Sequence, residues 1–182
     1  MRVIFSHGHL SSPKSHKIQV LAPVAERLGF ETQAIDYTDL QDDPHGRIDR
    51  LRAIIRDQNE PPILVGSSLG GLVSLIAAES DPVSGLFMLA PALYMEDRLP
   101  GGAIRDSYSP QCANITVIHG WGDDICPWQG SVKFASDHLS TLHMINADHR
   151  LEDALTAVAE WLQAFLKPFC STSPGHSCTL GP

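Results

Sequence analysis

The feature that most constrains the fold is a stretch over residues 61–78, where a short apolar run leads into G-x-S-x-G and then into small and apolar residues. This order predicts a buried strand, a tight turn and a helix, the context of a nucleophile elbow. The turn leaves Ser68 strained with its hydroxyl exposed, and Gly66 and Gly70 flank it because a Cβ at either position would collide as strand and helix pack. Such short matches also arise by chance, so the interpretation depends on finding a base and an acid elsewhere.

Apolar segments with strand and helix periodicity alternate along the rest of the chain. Strands are predicted at residues 2–6, 30–36, 61–67, 83–89, 115–119 and 142–146. Helices are predicted from the Ser12-Pro13 pair to residue 28, and over 47–58, 69–78, 128–139 and 151–166, with a kink or a break at Pro23. The alternation predicts a three-layer α/β/α sandwich with a mostly parallel sheet of about six strands.

The chain length and the local composition predict one domain over residues 1–167. Residues 93–113 have no clear period and contain several prolines and glycines, so we expect a short cap excursion there. Residues 168–182 are rich in Ser, Pro and Gly, and we expect a flexible tail.

Charge and hydropathy exclude several classes of function. The net charge is −8 without any basic run, which argues against binding to nucleic acid or to an anionic membrane surface. No apolar run is long enough for a membrane span, and the N-terminus is a poor match to a secretory signal. Four scattered cysteines without a C-x-x-C pair suggest a reducing cytoplasm, and neither a metal nor a cofactor is implied.

Candidate catalytic residues follow the strands at the edge where parallel sheets bind their ligands. Ser68 follows the third predicted strand, Asp123 the fifth and His149 the sixth. In this order His149 would act as the general base toward Ser68, and Asp123 would orient the imidazole. The backbone N–H groups of Leu69 and His9 are the expected oxyanion donors.

Four sequence segments together resemble the α/β-hydrolase superfamily. They are the H-G turn at residues 7–8, the elbow at 66–70, the H-G-W-G-D segment at 119–123 and the D-H pair at 148–149. The first loop reads H-G-x-x-S-S-P, which is similar to that of small, nearly lidless bacterial esterases. The resemblance spans the chain to about residue 165 and implies a minimal hydrolase fold that lacks the first two strands of the full fold.

Other assignments of the titratable residues stay open. Asp124 is the main rival to Asp123 as the acid, and Asp148 and Asp97 are further candidates. His119 is expected to support its turn rather than to react. The thiol of Cys126 is expected to pack in the core or in a pocket wall.

Two further histidines, His7 and His16, lie close to His9 along the chain. We expect His7 to be a satisfied turn histidine. A metal cluster is disfavoured because no Cys, Asp or Glu set accompanies these residues at ligand spacing.

Four aromatic residues lie near the predicted strand ends and could line an acyl pocket, although packing in the core explains each of them equally well. They are Tyr37, Tyr94, Trp121 and Trp128.

The sequence and the resemblance together predict a serine hydrolase that cleaves a small-molecule carboxylic ester or thioester through an acyl-serine intermediate. With little cap, the site is expected to suit small or flexible acyl groups. A peptidase or a lyase on the same three residues, or a hydrolase fold that only binds a ligand, are the alternatives.

Overall fold

The computed structural model describes residues 1–95 and 106–170. Its strands are β1 (Arg2–Ser6), β2 (Glu31–Ile35), β3 (Ile63–Ser67), β4 (Gly85–Leu89), β5 (Ile115–Gly120) and β6 (Thr141–Ile145). Its α-helices are α1 (His16–Arg27), α2 (Pro44–Arg56), α3 (Leu69–Ala77), α4 (Trp128–His138) and α5 (Leu155–Leu166).

The six strands form one sheet in the order β2-β1-β3-β4-β5-β6, and every neighbouring pair is parallel. Alternate side chains of the strands enter two separate cores, as the pleat requires. In β1, Val3 and Phe5 pack toward α1 and α5, whereas Ile4 packs toward α2 and α3. The sheet is therefore covered on both faces, which confirms the predicted α/β/α sandwich.

The central strands are rich in apolar residues because both of their faces are buried. All five residues of β4 are buried, and so are all six of β5. The parallel register brings the carboxyl ends of β1, β3, β4, β5 and β6 to one edge of the sheet. The loops after these strands are therefore neighbours, although they are far apart along the chain.

The prediction for the start of the first helix is wrong. Helix α1 begins at His16, because the Ser15 N–H donates to the Ser12 carbonyl (3.0 Å) and closes a separate turn around Pro13. The helix then continues through Pro23 without a break. Helix α2 begins at residue 44, three residues earlier than predicted.

The last predicted helix has a shorter regular part than expected. Leu151 adopts a left-handed backbone (φ 57°), and a 3₁₀ turn at Glu152–Ala154 precedes α5. This irregular stretch begins two residues after His149.

Two sequence predictions fall partly on residues that are not described. Residues 96–105, about half of the expected cap excursion over 93–113, lie outside the described residues, and so does Asp97. The same holds for residues 171–182 of the expected tail. Within the described ranges, no helix is long and apolar enough to cross a lipid bilayer.

Candidate active site

Ser68 occupies a strained turn between β3 and α3. Its backbone angles are φ 56° and ψ −121°, a conformation that L-residues rarely adopt, and its N–H is held by the Leu89 carbonyl at 2.9 Å. A Cβ on Gly66 would lie 2.4 Å from the Gly70 carbonyl oxygen, and one on Gly70 would lie 2.1 Å from that of Ser6. Both glycines are needed because the helix crosses the strands at backbone contact.

The Ser68 hydroxyl begins a hydrogen-bonded chain of three side chains. His149 Nε2 lies 3.1 Å from Ser68 Oγ, and His149 Nδ1 lies 2.7 Å from Asp123 Oδ2. The carboxylate can only accept, so Nδ1 carries the proton and Nε2 is left to accept from the Ser68 hydroxyl. The sequence order predicted that these three residues meet, and the structure brings them together.

Asp123 is held as a carboxylate at the buried end of this chain. Its Oδ1 accepts from the N–H groups of Ile125 (2.9 Å) and Cys126 (2.8 Å), and its Oδ2 accepts from His149 and His119. Burial alone would raise the pKa of Asp123, but the hydrogen bonds from the two histidines and the Cys126 N–H outweigh it. The pKa therefore lies well below its ordinary value, and the group stays charged at neutral pH.

His119 is fully buried and fixes the position of the carboxylate. Its Nε2 faces two acceptors, Asp123 Oδ2 and the Cys126 carbonyl oxygen, each at 3.0 Å. Nε2 must therefore carry the proton, and Nδ1 accepts from the Ser131 hydroxyl at 2.7 Å. The residue supports the turn around Asp123, in the place that the sequence reasoning gave it.

The other candidate acids have different surroundings. Asp148 Oδ1 accepts from the N–H groups of Arg150 and Leu151 and closes its own turn, and Asp124 is exposed. Of the candidate acids that the structure describes, Asp123 is the one hydrogen-bonded to His149. Cys126 is 2% exposed, and its Sγ lies 3.9 Å from Ser68 Oγ, so it is buried beside the serine side chain.

Two backbone segments flank the Ser68 hydroxyl as potential oxyanion donors. Leu69 is the first residue of α3, where helical N–H groups have no partner within the helix. On the other side, a Cβ on Gly8 would lie 3.2 Å from the Ser68 Cβ, so the loop after β1 passes directly beside the serine. His9 comes next along this loop, and its side chain turns away to Asp42 Oδ1 at 2.9 Å.

A cleft of about 370 Å³ opens next to Ser68 and His149. Its walls are residues 8–11 and 15–17, the elbow at 67–68, and residues 149, 150 and 152. Sequence reasoning did not predict Lys17 in this wall, because a lysine in the first turn of a helix belongs to no motif. Its Nζ lies 3.4 Å from the His149 carbonyl oxygen, and burial lowers its pKa.

The expectation that Tyr37 lines a substrate pocket is wrong. The side chain is fully buried, its hydroxyl lies 3.2 Å from Ser6 Oγ, and its ring packs at 5.4 Å from that of His7. Burial raises its pKa to about 12. Tyr37 is a core residue beneath the first loop.

The other three aromatic residues lie outside the walls of the 370 Å³ cleft, and their role in a pocket stays a prediction. Tyr94 packs at 5.1 Å from the Tyr108 ring, and Lys133 Nζ lies 4.8 Å from its ring centre. Trp121 is 51% exposed and contacts Trp128 edge to face at 5.0 Å.

His7 and His9 belong to the loop after β1, and their rings point to different partners. Across residues 1–95 and 106–170, no group of three or more His, Cys, Asp or Glu side chains is arranged to hold a metal ion. The two rings instead bond to protein groups, His7 to the Gly8 carbonyl and the Tyr37 N–H, and His9 to Asp42.

Residues 2–111 match the sequence pattern of an uncharacterised protein family, UPF0227. The chain belongs to this family. The match includes the first loop and the elbow, and it ends before Asp123 and His149.

Solved structures place this UPF0227 chain in the α/β-hydrolase superfamily. A protein of Xanthomonas campestris pv. campestris, assigned to that superfamily, is 28% identical with a TM-score of 0.79, over 92% of this chain and 98% of the other. A serine hydrolase without a lid, from Xanthomonas campestris, is 22% identical with a TM-score of 0.74, over 94% and 84%. These likenesses confirm the superfamily and the fold that the sequence resemblance implied.

One curated relative has a described activity. The mitochondrial palmitoyl-protein thioesterase ABHD10 of Bos taurus is 27% identical in a match that covers 83% of this chain and 67% of that protein. Mouse ABHD10 has the same fold, with 22% identity and a TM-score of 0.72 over 92% of this chain and 90% of the other.

Proposed function

We propose that this protein is a serine hydrolase that cleaves a carboxylic ester or thioester through an acyl-Ser68 intermediate. The observation that carries the proposal is the unbroken chain from Ser68 Oγ through His149 to the buried Asp123 carboxylate, which begins at a strained elbow. A serine hydroxyl at this position can lose its proton as it attacks.

The proposed reaction uses the groups in the order in which they are bonded. Ser68 Oγ attacks the acyl carbon while its proton passes to His149 Nε2, and Asp123 stabilises the resulting imidazolium. The N–H groups of Leu69 and His9 bind the oxyanion. The imidazolium then protonates the leaving alcohol or thiol, and water repeats the sequence to release the acid and restore Ser68.

The thioester part of the proposal is supported by the relative that is a palmitoyl-protein thioesterase. A thiolate is a better leaving group than an amine, so the same three side chains would act faster on thioesters than on peptides. A peptidase or a lyase activity is the alternative function, since one fold can support several chemistries.

The test is turnover of p-nitrophenyl acetate, butyrate and octanoate, of butyryl and palmitoyl thioesters, and of a p-nitroanilide. The native protein is compared with Ser68→Ala and with Ser84→Ala, a control at the opposite edge of the sheet, where Ser84 Oγ donates to the Pro61 carbonyl. Ser68→Ala is expected to lose roughly 10⁴-fold or more of kcat, and Ser84→Ala to match the native protein. Equal rates for native and Ser68→Ala would contradict the proposal.

The acyl series also tests the expectation from the sequence that the site suits small or flexible acyl groups. Faster turnover of the butyryl than of the palmitoyl thioester would support that expectation. A strong preference for the palmitoyl chain would contradict it and would match the relative's substrate. Turnover of the anilide at a rate comparable to the esters would favour a peptidase instead.

A further inference from the structure

Arg47 is a fully buried cation next to the first loop of the candidate site. It lies in the first turns of α2, and its guanidinium spans two loops. Its donors reach Leu40 O (2.7 Å), His7 O (3.3 Å), Gly8 O (3.3 Å), Gln41 O (3.4 Å) and Gln41 Oε1 (3.1 Å). Each acceptor that it reaches within the described ranges is an uncharged oxygen.

This placement of Arg47 is unfavourable for stability in two ways. Burial of a cation without a paired carboxylate has a large desolvation cost, and burial lowers the pKa of Arg47. The start of a helix also carries a partial positive charge, which disfavours a cation there. We therefore attribute this placement to the backbone carbonyls that the guanidinium binds. The Tyr37 ring packs against one face of the guanidinium, with its centre 5.2 Å from Arg47 Cζ.

One of the groups that Arg47 holds is the peptide between Gly8 and His9. The Gly8 carbonyl oxygen accepts from Arg47 Nη1 at 3.3 Å and from His7 Nδ1 at 2.8 Å. His7 Nε2 accepts from the Tyr37 N–H (3.2 Å), so the ring proton is on Nδ1 and the ring is a donor to Gly8. Two donors thus fix one edge of this peptide.

The other edge of the same peptide carries the His9 N–H. In a planar trans peptide the C=O and N–H point in opposite directions, so a carbonyl held toward Arg47 directs the N–H away from it. Gly8 itself lies against Ser68, since a Cβ added to Gly8 would lie 3.2 Å from the Ser68 Cβ. A charge-assisted hydrogen bond to the carbonyl also polarises the N–H and makes it a stronger donor.

We propose that Arg47 is a positioning residue that orients and polarises the Gly8–His9 peptide, so that the His9 N–H serves as an oxyanion donor. This inference rests on the proposed hydrolase function. Gln41 holds the next residues of the same loop. Its Oε1 accepts from the Leu10 N–H at 2.9 Å as well as from Arg47, and its Nε2 donates to the Ser11 carbonyl.

The experiment compares native protein, Arg47→Lys, Gln41→Ala and the control Arg50→Gln. Arg50 is on the same helix but is only partly buried, and it pairs with Asp39 rather than with the first loop. Active sites are counted by fluorophosphonate titration, so that rates refer to folded, reactive protein. The readouts are kcat and KM for p-nitrophenyl butyrate, the affinity for a trifluoromethyl ketone, and the pKa of the ¹³C-labelled hemiketal it forms.

Arg47→Lys is expected to lower kcat per titrated site by about 10- to 100-fold with KM within a factor of about three, since a displaced donor acts mainly in the transition state. The ketone affinity is expected to fall by the same factor and the hemiketal pKa to rise. Gln41→Ala, which leaves the guanidinium in place, is expected to give the same pattern at about 3- to 10-fold. Arg50→Gln is expected to match the native protein.

The outcomes separate the two proposals. If native protein turns over esters but kcat, ketone affinity and hemiketal pKa are unchanged per titrated site in Arg47→Lys and Gln41→Ala, the positioning role is overturned and the hydrolase function stands. A rise in KM as large as the fall in kcat, with an unchanged hemiketal pKa, would assign Arg47 a structural role alone. That result would also overturn the positioning role. If native protein neither reacts with the fluorophosphonate nor turns over esters, both proposals fail together.

Discussion

Replacement of Asp123 by Asn tests the logic of the site because the substitution keeps the shape of the side chain. The amide oxygen can still accept from the Ile125 and Cys126 N–H groups, which bond to Oδ1 in the native protein. The amide NH₂ then takes the place of Oδ2 and faces two histidine nitrogens that were both donors. The outcome depends on which histidine can move its proton.

His149 can change tautomer and His119 cannot. If Nδ1 of His149 loses its proton, it accepts from the new amide, and Nε2 then carries the proton toward Ser68 Oγ. Such a ring cannot accept the serine proton, and a loss of about 10⁴-fold in kcat is expected. His119 must keep its Nε2 proton because Nε2 donates to the Cys126 carbonyl. Its Nε2–H therefore faces the NH₂ of the new amide in the protein interior, and the two donors cannot bond to each other.

The unpaired donor gives an estimate for stability. An unsatisfied buried donor costs about 2 kcal/mol, which corresponds to a fall in Tm of roughly 4–8 °C for a chain of this size. The assay is kcat on p-nitrophenyl butyrate and Tm for native, Asp123→Asn and the exposed control Asp124→Asn. A kcat for Asp123→Asn within tenfold of native, or a large loss in Asp124→Asn alone, would refute the reasoning.

Three further changes test the packing and the ion pairs of the fold. Gly70→Ala forces a Cβ to within 2.1 Å of the Ser6 carbonyl oxygen, so we expect little soluble folded protein, whereas normal yield and activity would contradict the close approach. Tyr37→Phe removes a buried hydroxyl that is hydrogen-bonded to Ser6. We expect the free energy of unfolding in urea to fall by about 1 kcal/mol and KM for esters to stay unchanged. A raised KM would indicate that Tyr37 does contact the substrate. Asp81 pairs with Arg52 and Arg56 of α2. Burial alone would raise its pKa, but the hydrogen bonds from the two arginines outweigh burial and lower it. The free energy of unfolding of the native protein should therefore fall as the pH drops below about 4, and Asp81→Asn should flatten this dependence on pH.

Much of the fold was predictable because its signals are local. Strands buried on both faces are rich in apolar residues, and the glycines of the elbow are dictated by backbone contacts that no other residue permits. The start of α1 was not predictable, since Ser12 and Ser15 are both plausible caps. The choice is made by a turn that the Ser15 N–H closes on the Ser12 carbonyl.

The site was predictable only where topology carries the information. Ser68, Asp123 and His149 each follow a strand, so the parallel sheet alone brings them to one edge. Arg47 and Lys17 come from helices and bond mainly to backbone carbonyls, which any residue supplies, so no sequence pattern reveals their contacts. The misplacement of Tyr37 has a related cause, because a residue after a strand can point to the mouth or into the core.

The most direct test of the central claim is the mass of the protein after reaction with a fluorophosphonate, followed by fragmentation of the peptide over residues 61–78. The account predicts one adduct per chain, located on Ser68 and not on the neighbouring Ser67, and its absence from Ser68→Ala. The Ser84→Ala control should label like the native protein. An unlabelled native protein, or an adduct that persists in Ser68→Ala, would contradict the assignment of Ser68 as the nucleophile.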